Sequence, residues 1–120
     1  MEKNIKDLGN FGEATAVAYL KRKGYEILKQ NYFSQYGELD IIALDSNEVV
    51  FVEVKTRKSS FSNAQSSISQ KKQNKMKLTA SDFLSKNIVF QENFTRFDAI
   101  LIKIDDNMNY KIIHLPDAFR

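Results

Sequence analysis

Cysteine is missing from this 120-residue chain, so disulfide frameworks, thiolate zinc sites and cysteine nucleophiles are excluded. Histidine occurs once, as His114, which excludes a His-rich metal site. Proline also occurs once, as Pro116, and the four glycines all precede residue 38, so breakers punctuate little of the sequence. No apolar run approaches the ~18 residues of a membrane-spanning helix. The N-terminal segment lacks the apolar core of a secretory signal, which makes a cytoplasmic location, away from membranes, the expectation. What is present is ordinary for a folded domain: 42% hydrophobic and 28% charged residues. One domain spanning residues 1–120 is expected, large enough to form a core without a staple.

The formal net charge of +3 conceals an uneven distribution. Between Val54 and Ser81 there is no acidic residue, whereas Lys55, Arg57, Lys58, Lys71, Lys72, Lys75 and Lys77 are basic. The rest of the chain is net acidic. Such a cationic stripe is either a solvated helix face with a charged loop or a surface that attracts a polyanion, most commonly nucleic acid.

Leu8, Phe11, Ala14 or Thr15, and Ala18 recur at helical spacing and predict a first helix over about Leu8 to Lys23, with Gly24 just past its end. A short strand follows from Tyr25 to Leu28, extending toward Tyr32, and Gly37 marks a turn. Leu39 to Leu44 and Glu48 to Thr56 read as strands two and three around the Asp45-Ser46-Asn47 turn. The run Val49-Val50-Phe51-Val52 makes the third strand the clearest in the chain. Ser59 to Ser69 is serine-rich and reads as a mobile loop. Beyond it, Ile68, Met76, Thr79, Ala80 and Phe83 share one helical face. Arg96 to Ile104 and Tyr110 to Leu115 form strands four and five, joined around Asp105-Asp106-Asn107. The order α-β-β-β-α-β-β predicts an α/β domain with a mixed central β-sheet flanked by helices.

Strand alternation puts Val50, Val52 and Val54 on one face of the third strand, and Val49, Phe51, Glu53 and Lys55 on the other. If strands two and three pair as neighbours, Asp40 lies close to Glu53. Two carboxylates ~5 Å apart repel by roughly 3 kcal/mol at an effective dielectric near 20. Protonation, the adjacent Lys55 or a divalent cation would each relieve that. Two acids and a lysine at the end of buried strands are the composition of a Mg²⁺-dependent phosphodiester site. The plainer alternative is an exposed cross-strand ion pair worth less than ~1 kcal/mol. Lys72 falls within the apolar stripe of the second helix, where it either snorkels off the edge or points at this polar site. Glu13, three residues after Asn10, is either the glutamate of a helix cap or a further acid aimed at the same place. Tyr32, Phe33 and Tyr36 read as loop packing, with base stacking the alternative. His114 has no serine or acid partner visible in the sequence, so triad chemistry has no support.

Several segments carry a resemblance. They are Gly9-Asn10-Phe11-Gly12-Glu13-Ala14, Gly37-Glu38-Leu39-Asp40-Ile41-Ile42-Ala43, Val50-Phe51-Val52-Glu53-Val54-Lys55-Thr56-Arg57, Lys72-Gln73 and Arg96-Phe97-Asp98, in that order. On these residues the chain resembles the YraN family of uncharacterised bacterial proteins. That family resembles the PD-(D/E)xK restriction-endonuclease-like superfamily, which includes archaeal Holliday-junction resolvases. The resemblance implies a restriction-endonuclease-like αβββαβ core. It also implies a Mg²⁺- or Mn²⁺-dependent endonuclease acting on nucleic acid, with branched or repair-intermediate DNA among the candidate substrates. Asp40, Glu53 and Lys55 would be the catalytic set, and Glu13, Asp40 and Glu53 the metal ligands. Lys72 would lie near phosphate and Arg57 would support it; Lys58, Lys71 and Lys75 of the cationic stripe complete the expected nucleic-acid surface. Glu38 belongs to the matching motif without an assigned role. A homodimer is expected by analogy with the resolvases. Family members commonly carry basic residues between the Asn31 and Gly37 positions, whereas Tyr32-Phe33-Ser34-Gln35-Tyr36 has none. Two other functions fit the same residues. One is a non-catalytic nucleic-acid-binding protein that retains the nuclease fold. The other is a protein-interaction domain whose acids and lysine merely pair.

Overall fold

In the computed structural model, residues 5–58 and 68–120 are described, with side chains from Leu8 onward. They form α1 (Ile5–Arg22), β1 (Glu26–Ser34), β2 (Gly37–Asp45), β3 (Glu48–Lys58), α2 (Gln70–Lys86), a 3₁₀ turn (Ile88–Phe90), β4 (Phe94–Ile104) and β5 (Tyr110–Phe119). The serine-rich stretch expected to be a mobile loop lies outside the described residues up to position 67. The strands line up in the order β1-β2-β3-β4-β5. β3 and β4 pair in parallel and the other neighbours antiparallel, so the sheet is mixed. A parallel pair needs a long crossover; here it contains α2, which covers one face while α1 covers the other.

Two strands run further than their residues predict. β1 continues to Ser34 because it pairs with β2 all the way to Ser34↔Gly37, although Lys29, Gln30 and Asn31 are poor strand formers. β5 continues past Pro116 through a shift in register between Phe97 and Ala99 of its partner. Proline is tolerated there because β5 is an edge strand. The core faces follow the valine alternation. Val50 and Val52 pack against Ala16, Val17 and Leu20 of α1, while Val49 and Phe51 pack against Met76, Ala80 and Phe83 of α2. The α1 stripe differs from expectation, because Ala14 and Ala18 are exposed. Val17 and Leu20 bury more apolar surface than alanine and set the helix rotation. Ile68 is buried just ahead of α2, not on it; Ser69 caps the helix by accepting the N–H of Lys72 at 3.2 Å.

Helix α1 ends where expected. Gly24 has φ 94°, the Gly24 N–H donates to the Lys21 carbonyl, and the Tyr25 N–H donates to that of Leu20. This is the paired hydrogen-bond stop that a left-handed glycine permits. Upstream, α1 crosses β3 so closely that a Cβ on Gly12 would overlap the Thr56 hydroxyl and sit 3.1 Å from the Thr56 Cβ. Gly12→Ala should therefore lower stability by about 1–3 kcal/mol, despite alanine's better helix propensity. Denaturant titration would measure this, and adding Thr56→Ala should recover part of the loss. A Gly12→Ala protein as stable as the parent would show that α1 does not press on β3 there.

Candidate functional site

Asp40 and Glu53 approach each other where β2 and β3 separate. The ladder between them runs from Asp45↔Glu48 to Ile41↔Val52. Just beyond it, Oδ2 of Asp40 accepts the backbone N–H of Val54 at 2.8 Å. A side chain thus satisfies a donor that a β2 carbonyl would otherwise take. The pleat explains why this carboxylate is available. Leu39 and Ile42 pack on the α2 side, Ile41 and Ala43 on the α1 side. Regular alternation would put Leu39 with Ile41, so the pattern slips by one residue at Asp40. On β1 the register position between Gln30↔Ile41 and Tyr32↔Leu39 falls on Asn31, whose φ of 53° is left-handed. Asparagine tolerates that conformation better than most residues.

Glu53 follows Phe51 on the α2 face and is 9% exposed; Asp40 is 8% exposed. Burial, and then the neighbouring Asp40 carboxylate, push the Glu53 carboxyl up to about 7, with Lys72 opposing them. Lys72 Nζ lies 3.4 Å from Glu53 Oε2, yet that oxygen has no hydrogen bond. The contact is an ion pair without hydrogen-bond geometry, so Glu53 Oε2 keeps an unmet need for a hydrogen-bond donor. Lys55, half-buried on the same face, has its ammonium pKa lowered, first by burial and then by Arg57, with Glu53 opposing.

Glu13 belongs to this neighbourhood. The helix begins at Ile5, so Glu13 lies well inside α1 and the capping alternative fails. Its pKa is raised by burial and then by Asp40, with a smaller push from Glu38; a hydrogen bond with Asn31 opposes the rise. Among the described residues, however, no three acidic or histidine side chains gather closely enough to hold a metal, so Glu13 does not complete a ready-made cage with Asp40 and Glu53. The two-acid arrangement still fits a hard divalent cation. Both donors are oxygen, one of them ion-paired with Lys72 without a hydrogen bond, and Mg²⁺ ordinarily takes only one or two carboxylates and fills its remaining positions with water and substrate phosphate.

The basic residues divide. Lys72 points at the site and does not snorkel away. Lys71 and Lys75 are exposed on α2, and the stem of Lys75 lies beside Gly37, where an added Cβ would be 3.6 Å from its own. Alternation puts Arg57 on the Lys55 side of β3 and Lys58 on the opposite side; the Arg57 guanidinium donates to the Thr56 carbonyl at 2.9 Å. Lys77 is drawn away from the stripe, since its ammonium donates to the Arg120 carbonyl at 2.8 Å. Of the three aromatics before Gly37, only Tyr32 follows the packing expectation. It meets Phe83 edge-on and donates to Asp82 at 2.5 Å; burial, and then this hydrogen bond, raise its phenol to about 12. Phe33 is 70% exposed and Tyr36 is 41% exposed.

The sequence reading missed a second polar cluster, on the α1 side of the sheet. Asp98 is fully buried and accepts from Arg96 Nε at 3.0 Å, His114 Nε2 at 2.7 Å and the Asp117 N–H at 2.9 Å. His114 Nδ1 meets the Tyr19 hydroxyl at 3.0 Å. Arg96 also reaches Asp45, Glu48 and the Tyr25 hydroxyl. His114 therefore does have an acid partner, contrary to the expectation from sequence. The available signal was Arg96-Phe97-Asp98, a charge pair at same-face spacing leading into an apolar strand. No candidate catalytic residue joins this cluster. An open groove lined by Phe94, Arg96, Phe119 and Arg120 lies beside it, and none of the predicted site residues lines that groove.

These features define a class. The five-stranded mixed sheet, with α1 and α2 on its two faces and an acid pair at the β2–β3 fork, is an α/β domain of the restriction-endonuclease-like type. The profile of the uncharacterised protein family UPF0102 matches residues 12–102. A UPF0102 protein of Clostridium botulinum strain Hall is 41% identical over 117 residues, covering 96% of this chain and 95% of its own length. One from Caldicellulosiruptor bescii is 43% identical over 118 residues, covering 97% and 99%. The chain belongs to the UPF0102 family, the YraN family of the sequence comparison. Among the described residues, no helix is long and apolar enough to cross a membrane.

Proposed function

We propose that the chain is a divalent-metal-dependent endonuclease acting on nucleic acid, with DNA the first substrate to test. The observation that carries the reading is Glu53, a buried carboxylate beside a second one, with an oxygen that lacks a hydrogen bond and a pKa pushed up to about 7. Asp40 and Glu53 would hold Mg²⁺ or Mn²⁺, which when bound supplies an activated water and neutralises phosphate charge. Asp40 is oriented for this by the Val54 N–H. Lys55, with its lowered pKa, would position the attacking water and face the negative charge that develops on the phosphoryl oxygens. The oxygen of water bonds to phosphorus and gives up a proton to solvent, the bond to the 3′ oxygen breaks, and that oxygen leaves as a hydroxyl after taking a proton from solvent. The product carries a 5′-phosphate. Lys72 roofs Glu53 and would exchange that carboxylate for a phosphate oxygen as nucleic acid enters. Lys71, Lys75 and Arg57 supply further positive charge along the path.

A second reading has one observation in its favour. Lys72 sits on Glu53, and a lysine that stays there neutralises the site and leaves a nucleic-acid-binding protein without turnover. Incubation with linear, nicked and branched DNA and with RNA, in Mg²⁺, Mn²⁺ or EDTA, separates the two. Metal-dependent cleavage should fall ~10²- to 10³-fold in Asp40→Asn and Lys55→Met. Cleavage that survives both substitutions places the activity elsewhere. Under the second reading there is no cleavage. Lys71→Glu with Lys75→Glu should then still weaken binding and flatten the log–log salt slope by about 2, at roughly 0.9 per phosphate contact.

A further inference from the structure

We propose that the tip of the β1–β2 hairpin is a stacking platform for unpaired bases, so that the preferred nucleic acid has a single-stranded stretch beside the Asp40–Glu53 fork. The part of this that concerns the fork rests on the endonuclease reading; the platform itself does not. Phe33, near the end of β1, and Tyr36, in the two-residue turn Gln35-Tyr36, are large aromatics left in water, 70% and 41% exposed, at a hairpin tip where polar residues are the norm. The turn is held firmly. Ser34 Oγ lies 2.9 Å from Thr79 Oγ1, donates to the Gly37 carbonyl at 3.3 Å and accepts the Tyr36 N–H at 3.0 Å. Two residues before Ser34, Tyr32 is tied to Asp82 on α2. The exposed rings therefore stand on a braced support and lose little freedom on binding, which is what a stacking surface requires.

The surroundings favour a polyanion over an apolar partner. The Lys75 stem packs beside Gly37, the residue that follows Tyr36, and Lys71 lies one turn earlier on the same face of α2. No acidic residue occurs on α2 before Asp82. Phe33 is paired with Glu38 across the hairpin, so phosphate is repelled from that strand face and attracted to the lysine side, with the ring left to a base. Rings and lysines together offer the two contacts that single strands use, π-faces for bases and ammonium groups for the backbone. From Gly37 to Asp40 is three residues of strand, about 10 Å. A base held at the tip would thus lie a few nucleotides from a phosphate at the fork.

The test is equilibrium binding in EDTA, where cleavage cannot interfere, with a fluorescent 20-nucleotide single strand and the matching duplex as probes. Phe33→Ala and Tyr36→Ala should each weaken single-strand binding ~5- to 100-fold, with duplex affinity changed by less than about 2-fold. Phe33→Trp should keep the affinity and Phe33→Leu should lose it, which separates stacking from mere apolar contact. Unfolding midpoints should be unchanged, because both rings are exposed. Equal losses on both probes, an active Phe33→Leu, or no loss on the single strand would each overturn the proposal. The two readings can fail separately. Absent cleavage with ring-dependent single-strand binding removes the endonuclease and keeps the platform. Asp40-dependent cleavage with no effect of the ring variants on single-strand binding does the reverse.

Discussion

Replacing Glu53 with glutamine is expected to stabilise the metal-free protein at pH 8 while abolishing the proposed metal-dependent cleavage. The two effects have one cause. Burial, reinforced by Asp40, raises the folded-state pKa of Glu53 from about 4.5 to about 7. A group whose acid form is favoured by folding binds its proton more tightly in the native state. The stabilising proton is fully in place below the unfolded pKa and is lost as pH rises through the folded one. Above about 7 the folded protein carries the whole electrostatic cost, which for a shift of this size is at most roughly 3 kcal/mol. Glutamine carries no charge at any of these pH values, so Glu53→Gln should be more stable than the parent by about 1–3 kcal/mol at pH 8 and nearly equal to it at pH 4.5. Thermal unfolding across that range measures the difference, at about 4 °C or more per kcal/mol for a domain of this size. Mg²⁺ or Mn²⁺ should raise the unfolding midpoint of the parent at pH 8, by roughly 2.7 kcal/mol at a hundredfold excess over Kd, and should do so far less in Glu53→Gln. A variant that is less stable than the parent at pH 8, with no metal response in either protein, would mean that Lys72 already satisfies Glu53.

Asp98→Ala is expected to act in the opposite sense and to be the most destabilising single change in the described sheet. Burial alone would raise the Asp98 pKa. Hydrogen bonds from His114, Arg96 and the Asp117 N–H outweigh it and hold the carboxyl below the usual range. Removing the carboxylate leaves the Arg96 guanidinium without one of its partners and the His114 ring without its acceptor, both in largely buried positions. Breaking a buried charged network by deleting one partner costs about 3–5 kcal/mol, a large share of a domain's total stability. Because its folded pKa is depressed, Asp98 contributes stability above its unfolded pKa, near 4, and that contribution is lost as pH falls through the folded value. The gap between parent and Asp98→Ala in urea unfolding should accordingly be full at neutral pH and shrink in acid. An Asp98→Ala protein as stable as the parent at pH 7 would show that the cluster is dispensable to the fold.

The two acids differ for a reason that can be read from their donors. Asp98 accepts from a guanidinium, an imidazole and a backbone N–H, and its charge is welcome. Glu53 meets an ammonium without hydrogen-bond geometry and a second carboxylate, and its charge is not. A polar group kept in an unsatisfied state is a common mark of a functional position. That contrast separates the proposed site from the structural cluster more clearly than the number of charges in either.

Much of this arrangement was legible in the residues, and for one physical reason. Periodicities of 2 and 3.6 are properties of the backbone, so they sort side chains onto faces before anything is packed. Val50 and Val52 fell on one side of β3, and Phe51, Glu53 and Lys55 on the other, as alternation requires. The sequence was less informative wherever a periodicity breaks or a partner is distant. Ala18 lost its place in the α1 stripe to Val17 and Leu20, because burial is decided by the opposing sheet. The slip in the pleat at Asp40 lies opposite a left-handed Asn31 on the neighbouring strand, which no local pattern announces. Tyr19 and His114 are 95 positions apart and meet only because α1 lies across the face that β4 and β5 share.

The residues by themselves determined the order of the elements, the two faces of the sheet and the placement of Glu53 and Lys55 on one face at the end of β3. The tertiary structure alone decided that Asp40 turns into the fork and binds the Val54 N–H, that Lys72 bends over Glu53, and that Asp98 gathers Arg96 and His114. Facing is fixed by bonds and dihedrals within a few residues. Convergence is fixed by strand register and by which helix covers which face, and those come from the packing of the whole chain.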